Sequence, residues 1–208
     1  MTSLTQQQTS TCRHAHHQRH APGLWMAVAF AIIGLLGAST ATLAAEPPAR
    51  YMQRVAKDLI NAARSNSQSE FAKTVRSHAD YPTIGLYSLG AYAKGLPQAE
   101  RNTYFSGMIN FIARYAATNA PKYPVSNAVV TGQTEETKSG VHVDTRVTLQ
   151  DGTAYDVRWL LVRRGSAWKV RDAQVLGFWM SPFLKDLFEK YIAENGGNPR
   201  ALVVALNR

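Results

Sequence analysis

With 208 residues, 45% of them hydrophobic and 18% charged, and a formal net charge of +9, the chain carries core-forming material through most of its length. That excludes a disordered tail, a collagen and a polytopic membrane protein, and it fits one domain. The N-terminal stretch stands apart. Arg13, His14, His16, His17, Arg19 and His20 form a basic lead, Leu24 to Ala38 runs without a charge, and small residues follow from Ser39 to Ala45. This is the layout of a secretory signal peptide, with cleavage expected after Ala44 or Ala45 and a single domain over 45–208. The uncharged run is shorter than the roughly 20 residues of a spanning helix, so removal is preferred to a retained anchor.

Cutting at residue 44 removes Arg13 and Arg19 but no acid, which lowers the basic count from 23 to 21 against 14 acids and leaves +7. It also removes Cys12, the one cysteine of the chain. An exported protein without disulfides must rely on an ordinary hydrophobic core, which fits a bacterial periplasm better than a eukaryotic extracellular space.

From Arg50 to Asn119 the periodicity is helical. Val55, Leu59 and Ala62 give a stripe over Arg54 to Arg64, and Ser67 with Glu70 has capping-box spacing before Phe71 and Val75. Tyr81-Pro82 is read as a break. Ile84 to Tyr92, interrupted by Gly85 and Gly90, predicts a short, bent, buried helix. Pro97 opens the longest helix, whose broad apolar face includes Tyr104, Phe105, Met108, Ile109, Ile112 and Tyr115.

Between Pro124 and Val175 the period changes to two. A first strand spans about Val125 to Glu136, and Val141, Val143, Val147 and Leu149 then alternate with polar residues. Asp151-Gly152 is a two-residue hairpin signal leading to Tyr155, Val157, Trp159 and Leu161. Arg164-Gly165-Ser166 turns the chain into a fourth strand, Ala167 to Val175. Ser181-Pro182 reads as N-cap and first residue of a helix that stops at Asn195-Gly196, and Asn198-Pro199 starts a last one through Leu206. The expected fold is α+β: a four-stranded antiparallel meander covered by N- and C-terminal helices.

Catalytic chemistry is poorly supplied. After the leader only His78 and His142 remain, there is no cysteine, and no histidine pair has ligand spacing, so neither a metal nor a cofactor is expected. No nucleophile elbow, phosphate loop or dinucleotide fingerprint occurs. Glu135, Glu136, Asp144, Asp156 and Asp172 could supply paired acids for a small hydrolase, but solvated strand charges are the plainer reading, and no enzyme is expected. Arg163, Arg164, Lys169 and Arg171 cluster around one hairpin and are the candidate docking patch for an anionic membrane surface or an acidic membrane protein. Nucleic acid is not an expected partner. An adaptor that uses this hairpin to bind another protein is a further reading.

Two stretches resemble the MlaC family, the exported lipid carrier or toluene-tolerance auxiliary component of a Gram-negative ABC transporter. One is Leu89-Gly90-Ala91-Tyr92, then Pro97 to Arg101, Phe105, Phe111, Tyr115 and Lys122-Tyr123. The more specific one is Tyr155-Asp156-Val157-Arg158-Trp159, Trp168-Lys169-Val170-Arg171-Asp172, Val175-Leu176-Gly177-Phe178-Trp179 and Phe183. Gly196-Gly197 with Leu202 and Leu206 matches the closing helix, so the likeness runs from Tyr51 to Leu206. Departures mark a divergent branch: Ala93-Lys94 stands where relatives carry Trp-Arg, Trp179 where they carry Ser, and Ser181-Pro182-Phe183-Leu184 where they are polar and basic.

The resemblance implies a monomeric periplasmic carrier that holds phospholipid in an apolar cavity between sheet and helices. It would move lipid between an outer-membrane lipoprotein complex and an inner-membrane ABC transporter complex. A hopanoid is the alternative cargo. The candidate lining residues are Tyr87, Tyr92, Phe105, Met108, Ile112, Val143, Val157, Trp159, Phe178 and Trp179, each of which could equally be ordinary core.

Overall fold

A computed structural model describes residues 46–208, so the expected leader and its cleavage site lie outside the described residues. Helix α1 (Pro48–Ser65) starts earlier than the Arg54 expected, because Pro48 sits in its first turn, where no amide donor is missed. Helix α2 (Gln68–His78) is capped as its sequence predicts, Ser67 Oγ accepting from the Glu70 amide at 3.4 Å. The break after it falls at Ala79 rather than at Tyr81-Pro82. There Ala79 bridges to Val170 and the Asp80 amide donates to the Val170 carbonyl at 2.8 Å. Pro82 lies inside the first turn of α3 (Tyr81–Ser88).

The bend expected near Gly85 and Gly90 occurs at Gly90, with φ +51°. Helix α3 ends and a 3₁₀ turn, Gly90–Gly95, follows. Glu189 fixes this corner by accepting from the Ala91 amide at 2.9 Å. A Cβ on residue 90 would sit 1.7 Å from Glu189 Oε1. Helix α4 (Arg101–Asn119) is the longest, entered through a 3₁₀ turn at Gln98–Glu100.

The sheet is an antiparallel meander of β1 (Val125–Thr137), β2 (Gly140–Leu149), β3 (Ala154–Arg164), β4 (Ala167–Val175) and β5 (Phe178–Trp179), in that spatial order. The expected α+β architecture is present with one strand more than predicted. Leu176 and Gly177, at φ +51° and +84°, form a two-residue turn that folds Phe178 and Trp179 back on β4. The Asp151-Gly152 hairpin has a longer loop than expected, closed by the Leu149 amide on the Thr153 carbonyl at 2.8 Å.

Helix α5 (Met180–Glu194) begins before Ser181, so Ser181 is not its N-cap. The cap comes from the sheet, with Asp172 Oδ1 accepting from the Ser181 amide at 2.9 Å. Burial raises the Asp172 carboxyl above its ordinary pKa, against the lowering effect of the Ser181 and Ala173 amides. Helix α6 (Pro199–Leu206) starts as predicted, Asn198 accepting from the Arg200 amide at 3.0 Å.

The apolar interior falls into parts. Helices α3 to α6 share a helical core around Tyr104, Met108, Phe188 and Ile192. Tyr51, Met52 and Val55 of α1 stand instead on the sheet, against Val141, Val143 and Leu161. A smaller cluster of Ala62, Phe71 and Ala113 joins α1, α2 and α4.

Gly90→Ala forces an L-residue into the left-handed region beside Glu189 and is expected to lower stability by about 1–2 kcal/mol from the backbone alone. Chemical denaturation of the variant checks this.

Candidate functional site

The size of the side chains along α1 decides where the interior is left open. Near its start, large residues reach the sheet. Further along, the wall of the helix is Ala56, Leu59, Ile60 and Ala63, while Ala116 and the following Ala120 approach from the end of α4. These residues, with Phe71 of α2, leave a cavity of about 290 Å³ above the sheet. Its floor is Val125, Ala128, Thr145, Val147 and Trp159, and Tyr123 stands at its edge. Tyr123 is 57% exposed and marks the mouth. Beside it Arg64 reaches from α1 to the Ser126 carbonyl of β1 at 3.4 Å.

The polar atoms in this wall are turned on one another. Trp159 Nε1 donates to Thr145 Oγ1 at 2.9 Å, and the Thr145 hydroxyl lies 3.5 Å from the Val157 carbonyl. Thr145 is 1% exposed, so its hydroxyl serves the indole and not solvent. The cavity therefore offers bulk and apolar contact, with no free donor or acceptor from this pair.

Of the expected lining residues, Trp159 alone is in the wall. Val143 and Val157 are buried on the same sheet face, Val143 under α1. Phe105 and Met108 belong to the separate helical core, with Tyr92 and Ile112 packed against it. The reason is that the aromatic face of α4 turns toward α5 and α6 and away from the sheet. Tyr87 and Phe178 are 48% and 73% exposed. Trp179 curls over the outer face, its ring 5.9 Å from that of His142. Ala56, Ala63, Ala116 and Ala120 were not singled out, because alanine carries no sequence signal of a cavity.

The expected docking cations are likewise redistributed. Arg164 Nη2 and Arg171 Nη2 each lie 2.7 Å from Asp80 Oδ2, and Arg164 also donates to Thr83 Oγ1 at 2.9 Å. Asp80 is buried, its side chain 6% exposed. These arginines clamp the α2–α3 junction to β3 and β4, so charge reversal at Arg164 would test the fold before it tested docking. Lys169 Nζ donates to the Ser77 carbonyl at 2.6 Å. Arg163 lies over the Trp168 ring at 3.9 Å and donates to the Ser166 carbonyl, leaving it the most peripheral of the group.

The acids expected for hydrolysis do not converge on the cavity. Asp144 pairs with Arg158 and Asp156 with Arg146 on the outer face, where Glu135 lies 3.6 Å from Arg158. They border a charged surface cleft of about 450 Å³. Asp172 is engaged with the start of α5. His78 is held between Asp58, 2.8 Å away, and the edge of Tyr51. Among the described residues no group of three or more His, Cys, Asp and Glu is arranged to hold a metal.

Burial alone would raise the Asp80 carboxyl, but hydrogen bonds from Arg164 and Thr83 and the charges of Arg171 and Arg164 hold it below its ordinary pKa. A depressed acid contributes stability above its unfolded value and loses it as pH falls through the folded one. The wild type is thus expected to lose this contribution below about pH 4. Asp80→Asn should cost about 2 kcal/mol at neutral pH and flatten that acid limb, as read by denaturation across pH. Separately, Thr145→Val strips the indole of its partner and should cost about 1–3 kcal/mol, with a shift in Trp159 emission.

Comparison with known proteins adds a lineage to this geometry. No curated protein matches the chain. A solved structure, that of a phospholipid-binding protein from Ralstonia solanacearum in complex with a phospholipid, is similar with a TM-score of 0.61. The two share 17% sequence identity over 78% of this chain and 96% of the other, so the likeness is one of fold. The family described as MlaC protein matches residues 50–208, the whole helix–meander–helix unit, and the chain belongs to the MlaC family.

Proposed function

We propose that this protein is a periplasmic lipid carrier, exported by its N-terminal leader, that shelters acyl chain in the cavity between its sheet and α1. It would move lipid between an outer-membrane lipoprotein complex and an inner-membrane ABC transporter complex, without catalysis. The observation that carries the reading is the cavity: an opening walled by alanines, aliphatic residues and aromatic rings, with its indole and hydroxyl mutually satisfied. Family membership and the phospholipid complex of the Ralstonia solanacearum protein support the same cargo class.

The energetics suit this role. Each methylene exposed to water costs about 0.8 kcal/mol, so two long chains would cost more than about 20 kcal/mol unsheltered. A volume of about 290 Å³ is at the lower end of ligand pockets, which run from about 300 to 1,000 Å³. It takes part of one chain. Seating a two-chain lipid requires α1 and the end of α4 to part, and the small residues between them oppose that little. The hydrolase reading is disfavoured because its acids are paired with arginines on the opposite face of the sheet.

Native mass spectrometry of protein purified from cells should find bound phospholipid. Ala63→Phe, which grows a ring into the cavity, should reduce lipid occupancy at least about tenfold while the protein stays folded. Wild-type protein that neither carries lipid nor takes it up from vesicles would refute the reading.

A further inference from the structure

Two helices end at the mouth of the cavity, and each brings a cation there. Arg64 follows the lining residue Ala63 in the last turn of α1 and stands one turn beyond Ile60, also in the wall. Lys122 closes a 3₁₀ turn, Ala120–Lys122, that runs on from α4 and directly precedes Tyr123 at the mouth. Both residues are exposed.

The ordinary reason for a cation at a helix end is to serve the last carbonyls and the negative end of the dipole. Here those carbonyls already have donors. On α1 the Ser65 hydroxyl donates to the Ala62 carbonyl at 2.9 Å, and the Asn66 amide to that of Ala63 at 3.1 Å. On α4 Asn119 Nδ2 donates to the Tyr115 carbonyl at 2.8 Å, and the Ala120 amide to that of Ala116. Arg64 turns away from its own helix, and its one hydrogen bond is the 3.4 Å contact to the Ser126 carbonyl of β1. Most of the guanidinium donors are left over. Lys122 Nζ likewise meets only a neutral acceptor, Asn119 Oδ1 at 3.3 Å.

No carboxylate compensates this pair. Among the described residues neither Arg64 nor Lys122 has an acid within salt-bridge distance, whereas Arg146, Arg158, Arg164, Arg171 and Arg200 each have one. Asp58, on the same helix as Arg64, is held to His78. Asp151, on the loop whose Gln150 amide donates to the Pro124 carbonyl, accepts from the Thr153 amide at 2.9 Å. Positive charge is therefore left unanswered where the head of a lipid must lie if its chain fills the cavity.

We propose that Arg64, with Lys122, holds the phosphate of the bound lipid at the cavity mouth. Arg64 offers paired N–H donors to two phosphate oxygens, and Lys122 adds a point charge. The proposal rests on the carrier reading and gives it a headgroup preference. The cavity shelters a chain whatever its head, but a lipid bearing a phosphate is retained over a neutral glyceride.

The test is calorimetric titration of delipidated wild type and of an Arg64→Gln, Lys122→Gln double variant. The probes are lysophosphatidylglycerol, a monoacylglycerol of the same chain, both below their micellar concentrations, and inorganic phosphate. Both positions are exposed, so the variant should keep its thermal midpoint. The wild type should bind lysophosphatidylglycerol at least about tenfold more tightly than the neutral lipid. The variant should bind both alike, at the wild type's affinity for the neutral lipid. A wild type without the preference, or a variant that keeps it, overturns the phosphate site and leaves the carrier reading standing. A wild type that binds inorganic phosphate, lost in the variant, but neither lipid would assign the site to the free anion and remove the carrier reading. Binding of none of the three would overturn both.

Discussion

An apolar sheet face must be covered, and here the cover is incomplete by residue size. Helix α1 stands on the sheet with Tyr51, Met52 and Val55 at one end, and these close the interior against Val141, Val143 and Leu161. Toward its other end the contact falls to Ala56 and Ala63, met by Ala116 and Ala120. Were the remaining 290 Å³ closed and dry, the cavity penalty seen in core truncations would put its cost on the order of 7 kcal/mol, comparable with the whole stability of a domain. An open mouth beside Tyr123 lowers that cost by admitting solvent or a chain. The fold is arranged so that filling the space with hydrocarbon is favourable.

Such an opening needs a frame that does not collapse into it. The helical core of α3 to α6 supplies rigidity without touching the cavity, since Tyr104, Met108 and Phe188 pack among themselves. The frame is tied to the sheet by polar contacts. Asp80 receives Arg164 and Arg171 from β3 and β4, and Asp172 of β4 caps α5. These contacts join segments far apart in sequence at the rim of the sheet, leaving its apolar face to α1. The division separates stability, held largely by the helical core and the clamps, from the opening proposed to take cargo.

How much of this the sequence disclosed follows the same physics. Alternation in Val141 to Leu149 and Tyr155 to Leu161 is set by the pleat, and it located the strands; Ser67 and Asn198 announced helix starts because their caps are local. Contacts made across the fold were not legible. Arg164 and Arg171 looked like a free basic patch because Asp80 is remote in the chain, and Ser181 looked like a cap because Asp172 was not known to lie beside it. The cavity is expected mainly on aromatic residues, yet Phe105 and Tyr92 belong to the helical core, Tyr87 and Phe178 are exposed and Trp179 lies over the outer face, whereas the alanines that create the cavity leave no mark in composition. Trp159 was identified because it lies on the inner face of a clear strand; Phe178 pairs on that face too but is exposed.

The central claim is that hydrocarbon lies against Trp159. The direct measurement uses protein with Trp168 and Trp179 replaced by Phe, so that Trp159 is the only tryptophan after residue 44, loaded with phospholipid brominated at mid-chain. The account predicts strong quenching of its emission relative to the same lipid without bromine. Lipid-loaded protein whose Trp159 emission is unchanged by bromine would contradict it.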